Sequence, residues 1–434
     1  MPPMLWQKGM IILMLINNVP QEWQISFKIE KDSLQHAVLK IENASKEILC
    51  AYLHGSGIVE VVALFGGNER PLVLYARYKS DIENRIDINF VGHRLELYVN
   101  GVLQDEEWPL GDMPLENSVC SVCQAGFQIS DALELKQAPI EPKKISIKAF
   151  KPDGHNVYAG DCMPFEHDGT YHLFYLYDRR RHNSKYGFGA HQWAHIATDN
   201  LTDWYEYPMA ISIDEQHEGS ICTGSFIYHN GQFYAFYAVR MSDGSPAKIT
   251  WSVSADCINF TKTHKKVTLS ERFHSSSARD PKVFLGEDGR FHMLVTTSKN
   301  DNDRRGALAH LVSADLENWE ELSEAFISVE SCVQPECPDY FKFGDWYYLI
   351  YSLDGQARYF ISKNPFSGWR APNNSKIGTE SFRVPKIASF GGVRLIAAGF
   401  IPVMSGGYGG EISCLEAWQT SDGTLRFGLV AELL

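Results

Sequence analysis

The sequence predicts an all-β chain, with a β-sandwich over residues 1–140 and a five-bladed β-propeller over residues 145–434. Three observations carry this. Short runs rich in Val, Ile, Tyr, Phe and Trp alternate apolar with polar residues, and Gly, Asn or Asp punctuates them. The early hairpins follow one another with no helical pattern between them, which is the mark of a sandwich. From about residue 145 a single strand–turn–strand unit recurs five times, a period that belongs to propellers.

The composition narrows the function. A formal net charge of −13 argues against nucleic acid or an anionic membrane as partner, because a phosphate-rich surface needs a basic face. Arg179-Arg180-Arg181 is too short to supply one. The 24 Phe, 20 Tyr and 10 Trp suit strand cores first and sugar-stacking surfaces second. The nine cysteines are scattered, and Cys120 and Cys123 form the lone C-x-x-C, with no second pair to complete a zinc site. Unpaired thiols point to a reducing compartment, so a cytoplasmic protein is expected rather than a secreted one.

Met10 to Ile16 is apolar but far too short to span a bilayer, and Asn17-Asn18-Val19-Pro20 offers no small-residue cleavage site. It reads as a strand, with a short signal peptide as the alternative. Strands follow near Gln24–Ile29, Ala37–Ile41, Glu47–Leu53, Ile58–Phe65 and Pro71–Tyr78. In Arg85 to Trp108, Ile86, Ile88 and Phe90 alternate with polar residues, and Val91-Gly92-His93 turns the chain. Leu95, Leu97 and Val99 alternate again, and Asn100-Gly101 signals a type I′ hairpin. This unit is similar to the late hairpins of concanavalin-like (laminin-G-like) sandwiches, over about fifty residues. Leu135 to Ile145, with two prolines and three lysines, reads as a linker.

The repeat then begins. HDGTYHLFYLY starts at His167, HNGQFYAFYAV at His229, EDGRFHMLVTT at Glu287, KFGDWYYLIYS at Lys342 and FGGVRLIAAGF at Phe390. Third strands follow at Ile196–Trp204, Ser252–Phe260, Leu311–Trp319, Ile361–Trp369 and, more weakly, Trp418–Leu425. Counting back from the turn glycines gives Asp161, Thr223, Glu336 and Arg383 eight residues before Gly169, Gly231, Gly344 and Gly391, and Asp280 nine before Gly289. The inner strands line the channel of a propeller, so these residues are expected at one level, facing one mouth. Three carboxyl groups from three blades suit glycoside hydrolysis, which needs one carboxylate and one proton donor across the scissile bond. Singly, Asp280 before a proline could be a turn residue, Glu336 a loop acid and Trp193 a core residue; His195 is assigned no chemistry.

Ala278-Arg279-Asp280-Pro281-Lys282-Val283-Phe284 and Pro335-Glu336-Cys337-Pro338-Asp339-Tyr340-Phe341 resemble two signatures of glycoside hydrolase family 32, the invertases, levanases and inulinases. His191-Gln192-Trp193-Ala194-His195 and Cys222-Thr223-Gly224-Ser225 resemble two more, and the likeness spans roughly residues 150–434. It implies a retaining β-fructosidase in which Asp161 is the nucleophile, Glu336 the acid/base, and Asp280 the transition-state stabiliser. Arg279, Trp193, Thr223, Cys222 and Arg383 would line the sugar site. The substrate would be a disaccharide, oligosaccharide or polysaccharide, with no metal or cofactor. The first signature departs from the family's Asn-Asp-Pro-Asn-Gly, reading Gly160-Asp161-Cys162-Met163-Pro164. Leu176 stands for its glutamine and Cys222 for its phenylalanine, and the sandwich precedes the propeller instead of following it. Two other readings stay open: an inverting arabinanase- or xylosidase-type hydrolase, and a carbohydrate-binding protein on a hydrolase scaffold.

Overall fold

The computed structural model describes residues 11–16, 23–29, 36–43, 46–66, 70–91, 94–107, 109, 113–123, 142–152, 157–179, 191–213, 215, 217–404 and 407–434. The regular secondary structure of the described residues is strand, apart from single 3-10 turns at Ser275–Ser277 and Ala431–Leu433. None of its helices is long and apolar enough to cross a membrane. The chain divides into two compact units, Met1–Ile140 with Ile213–Gln216 and Glu141–Ser212 with His217–Leu434.

The first unit holds two antiparallel sheets. One runs Ile11–Ile16, Ser118–Cys123, His36–Asn43, Lys46–His54, Ile58–Ala63, Leu72–Arg77; the other runs Trp23–Ile29, Asn84–Val91, Arg94–Val99, Val102–Glu107. Period-two alternation turns Ile25, Phe27, Ile86, Ile88, Leu95 and Leu97 of the second sheet toward Leu39, Ile41, Leu49, Val59, Val61 and Leu74 of the first. All belong to one buried cluster. Each such side chain contributes about 1.5–3 kcal/mol when withdrawn from water. Asn100 and Gly101 have φ of +52° and +76°, and Val99 pairs with Val102, as a type I′ turn requires. Cys120 and Cys123 lie on one strand, Ser118–Cys123, paired with Ile11–Ile16.

Arg94 and Glu96 alternate with Leu95 and Leu97, yet they are only 9% and 2% exposed and pair with each other. One expectation changes here. The residues expected to form a linker end in a strand, Lys143–Ile145, which pairs with Trp204–Ile211. Residues 135–141, the turn residues Gly92 and His93, Asn17–Pro20 and Arg180-Arg181 lie outside the described residues.

The second unit is five successive antiparallel meanders. Their opening strands are Val157–His167, Glu218–His229, Arg279–Leu285, Glu336–Phe343 and Arg383–Phe390. These five inner strands neighbour one another in that order, and the last returns to the first. Ala159 also pairs with Gly410, joining the first and fifth meanders in one sheet. Aromatic rings fill the seams: Phe174 stacks on Phe226 at 4.0 Å, and Phe284 on Tyr340 at 3.8 Å.

The repeat has a local physical basis. Asp168-Gly169 and Asn230-Gly231 make two-residue turns with positive φ at both positions. The third strand of each early meander stops sooner than expected, at Thr198, Ser254 and Ser313. Asn200, Asp256 and Asp315 then accept backbone N–H groups from the two residues that follow the next one, closing a tight turn. Leu201, Cys257 and Leu316 take φ near +62° to +66° within it. The closing Trp204 and Trp319 donate their indole N–H to the carbonyls of Leu201 and Leu316, at 2.9 and 3.1 Å. Trp204 therefore begins the fourth strand rather than ending the third.

Trp204 is wholly buried, so Trp204→Ala leaves a cavity and an unmatched carbonyl at once. Its unfolding free energy in denaturant should fall by about 3–5 kcal/mol.

Candidate active site

Every inner strand slips its register at the same place. Ala159↔Tyr177 is followed by Cys162↔Tyr175, and Ile221↔Val239 by Gly224↔Tyr237. Arg279↔Thr296 is followed by Lys282↔Leu294, Glu336↔Ser352 by Asp339↔Ile350, and Arg383↔Phe400 by Lys386↔Ala398. Two residues thus oppose one at Gly160-Asp161, Cys222-Thr223, Asp280-Pro281, Cys337-Pro338 and Val384-Pro385. A bulge bends its strand and re-aims its side chains. Asp280, Cys337 and Val384 have φ of +55°, +51° and +46°, and a proline follows each, harmless where no ladder bond is needed.

The bulges correct the expected single level. Measured from them, Glu336 and Arg383 come just before the bulge, Asp280 is its first residue, and Asp161 and Thr223 are its second. Counting from the turn glycines hid this stagger because the glycine does not hold one place in the turn and the strand from bulge to turn differs in length. Gly169 is the second of the two residues between His167 and Thr170, whereas Gly344 is the first of the two between Phe343 and Trp346.

The three carboxyl groups are nevertheless knit together. Asp161, 7% exposed, accepts at Oδ2 from Thr223 Oγ1 and from the Cys337 thiol at 3.3 Å. Its Oδ1 accepts from the Tyr408 hydroxyl at 2.9 Å. Asp280 accepts the Cys337 backbone N–H at 3.0 Å, and the same thiol lies 3.5 Å from its Oδ2. Arg279 reaches Asp280 at 3.6 Å and Glu336 Oε1 at 2.8 Å, and its other amino group donates to Gln334 and to the Ser277 carbonyl. Glu336 is the open member, with its side chain 42% exposed.

Burial pushes the Asp280 carboxyl above its ordinary value; Arg279 opposes this and the Asp161 charge reinforces it. Burial also holds the Cys337 thiol well above its ordinary value, with both aspartates adding to the effect. The thiol therefore stays protonated and can donate. Cys222 is pushed up to about 11 by burial, aided by Asp280.

Two expected sugar-binding residues sit elsewhere. Trp193 is 0% exposed, packed against Phe226 and Tyr237, and its indole N–H holds the Cys222 carbonyl at 2.9 Å. It braces the second bulge and presents no face to a ligand. Arg383 donates to the Gly355 carbonyl at 2.9 Å, an anchor in the fourth meander outside the carboxyl cluster. His195 is fully buried against Phe174 and bonded to His172, a structural role.

Other polar groups were not foreseen. Lys282, Asp339 and Lys386 occupy the position directly after three of the bulges. Lys282 pairs with Asp339 at 2.6 Å, Asp339 accepts the Ile387 N–H, and Lys386 donates to the Gly224 carbonyl at 2.8 Å. Tyr408 arrives from a turn in the fifth meander. Its setting, Gly406-Gly407-Tyr408-Gly409-Gly410, was the available signal, since a lone aromatic among glycines marks a loop that presents a ring.

Comparison with known proteins bears on the family and the fold. The profile of the glycosyl hydrolases family 32 N-terminal domain matches residues 162–383. The sucrose-6-phosphate hydrolase of Salmonella typhimurium is 29% identical over 203 residues, 44% of this chain and 42% of that protein, so the match spans less than half of the relative's length. Among solved structures, fructan 1-exohydrolase IIa from Cichorium intybus superposes with a TM-score of 0.53 at 20% identity, covering 69% of this chain and 62% of its own. A Bombyx mori GH32 β-fructofuranosidase gives 0.51 at 19% identity, covering 64% and 65%. At these identities the structural likeness speaks to the fold.

The electrostatics make a prediction. A carboxyl group raised by folding favours the folded state at low pH, and that contribution is lost as pH rises through its folded value. Asp280→Asn removes the charge that folding disfavours. Its melting temperature should exceed that of the wild type at pH 7, and the gain should fade as pH falls through and below the ordinary carboxylate range. Scanning fluorimetry across pH 3–7 reads both, the range being set about the ordinary aspartate value of roughly 3.9.

Proposed function

The chain belongs to glycosyl hydrolase family 32, and from that premise we propose that it cleaves fructosyl linkages by double displacement. The observation that carries the reading is the meeting of Asp161, Asp280 and Glu336 from three inner strands, joined through Cys337 and Arg279. In this reading residues 145–434 carry the reaction, and the sandwich over 1–140 is a structural or carbohydrate-binding module.

An Asp161 oxygen attacks the anomeric carbon while Glu336 gives its proton to the leaving oxygen, and the glycosidic C–O bond breaks. Water then attacks the same carbon, loses a proton to Glu336, and releases Asp161 as a carboxylate. Fixing the Asp161 carboxylate in advance supports the role of nucleophile, because a poised geometry lowers the cost of reaching the transition state. The exposure of Glu336 supports the acid/base role, since that group must meet both the leaving group and water. Asp280 and Arg279 supply a charged pair to grip sugar hydroxyls as positive charge develops on the ring.

The test is a panel of sucrose, sucrose 6-phosphate, raffinose, inulin, levan, arabinan and aryl glycosides. The wild type should release fructose, with the first-formed anomer retaining its configuration by NMR. Asp161→Asn and Glu336→Gln should each lower kcat by roughly 10²- to 10⁴-fold. An inverted first product, or fructoside turnover that survives Asp161→Asn, overturns the assignment.

A further inference from the structure

The turn after the strand Arg394–Pro402 delivers Tyr408 to the first bulge, 247 residues away in sequence. Its hydroxyl accepts the Asp161 backbone N–H at 3.2 Å and donates to Asp161 Oδ1 at 2.9 Å. The tyrosine thus holds both ends of one residue. Thr223 and Cys337 occupy Oδ2, so Oδ1 is the oxygen assigned to the phenol.

The surrounding residues make room for this contact. A Cβ at Gly160 would lie 2.6 Å from the Tyr408 hydroxyl oxygen and 3.0 Å from a ring carbon, so only glycine leaves space for the ring beside Asp161. Gly409 has φ of +75°, and a Cβ there would meet Asp178 Oδ2 at 2.7 Å. The other face of the ring region is braced: His191 stacks on Tyr408 with centroids 5.3 Å apart, and its Nε2 bonds Asp178 at 2.8 Å. Burial holds the Tyr408 phenol well above its ordinary value, with Asp161 and Asp178 adding to the effect, so it remains a donor. Phe400 packs edge-on against the same ring.

We propose that Tyr408 is a positioning residue for the nucleophile, its phenol orienting the Asp161 carboxylate in space that Gly160 leaves open. The inference rests on the reading of Asp161 as the nucleophile. An oriented donor keeps the carboxylate in its attacking plane and stabilises it again when the glycosyl ester breaks. Its loss should therefore affect turnover more than substrate affinity. The groups facing Asp161 are Thr223, Cys337, Cys162 and Asp280, and those facing Tyr408 are Asp178 and His191. Of these, only the phenol is removed by Tyr408→Phe.

The experiment uses the full chain and the variants Tyr408→Phe, Gly160→Ala, Asp161→Asn and Tyr408→Phe/Asp161→Asn. With the best fructoside of the panel, Tyr408→Phe should lose roughly 10- to 100-fold in kcat with KM within a few-fold. Gly160→Ala, which keeps the phenol but displaces it, should lower kcat in the same way, again with KM within a few-fold. An unchanged kcat in an active protein, or a loss carried by KM instead of kcat, overturns the inference. Denaturant unfolding answers without turnover. The double variant's unfolding constant should depart from the product of the single effects by more than about 3-fold, and additivity overturns the proposal. A wild type that hydrolyses no fructoside sinks the functional reading, and the unfolding cycle then decides the Tyr408–Asp161 contact by itself.

Discussion

The site depends on one backbone irregularity repeated in each inner strand. A regular strand would send alternate side chains to opposite faces and leave the acids of different strands at unrelated heights. A two-residue bulge in each strand breaks the alternation at a common place and turns the chain there toward its neighbours. The bulges at Asp280, Cys337 and Val384 accept a left-handed backbone at non-glycine residues, a conformation that costs energy and persists only where the surroundings enforce it. The paired strands on either side of each bulge supply that enforcement. The regular part of each meander therefore stabilises the irregular part that holds the candidate site.

Around the bulges, neutral donors and one cation hold the carboxyl groups together. Asp161 and Asp280 are both buried and close enough to share one thiol, an arrangement that like charges oppose. Arg279 offsets part of that repulsion by reaching Asp280 and Glu336 together. Thr223 and Tyr408 stabilise Asp161 with hydroxyl protons that add no charge. The result separates the acids by environment: Asp280 is buried and resists ionisation, Asp161 is clamped on both oxygens, and Glu336 stands open to water. The three chemically similar groups are thus distinguished by burial and partners rather than by residue type.

Much of this was legible in the sequence. The five turn-and-aromatic-strand copies marked the meanders, because Asp-Gly and Asn-Gly turns and aromatic alternation are local signals that need no tertiary contact. The Arg-Asp-Pro and Glu-Cys-Pro segments marked two acids of the cluster through their resemblance to family signatures, but the left-handed backbone before each proline was not legible there, because a residue before proline ordinarily prefers an extended conformation. Trp193 misled, since an indole in a motif beside a candidate site can serve equally as a brace, and its burial decides for the brace. Arg383 fell in the expected phase, yet its guanidinium found the Gly355 carbonyl nearby. Lys282 and Asp339 were inside the recognised segments and Lys386 was not, but none carried a distinguishing pattern, because their contacts join four separate meanders.

By itself the sequence determined the all-β character, the repeat, the hairpin turns and the identity of the three acids. Each of those rests on neighbours along the chain, where periodicity and turn chemistry act. Tertiary structure alone decided the stagger of the acids about the bulges, the thiol between two of them and the arrival of Tyr408 at Asp161. Those depend on loop lengths, strand register and the empty space at Gly160, which bring together residues as far apart as Asp161 and Tyr408. Register is a property of paired strands, and a single strand read in isolation does not contain it.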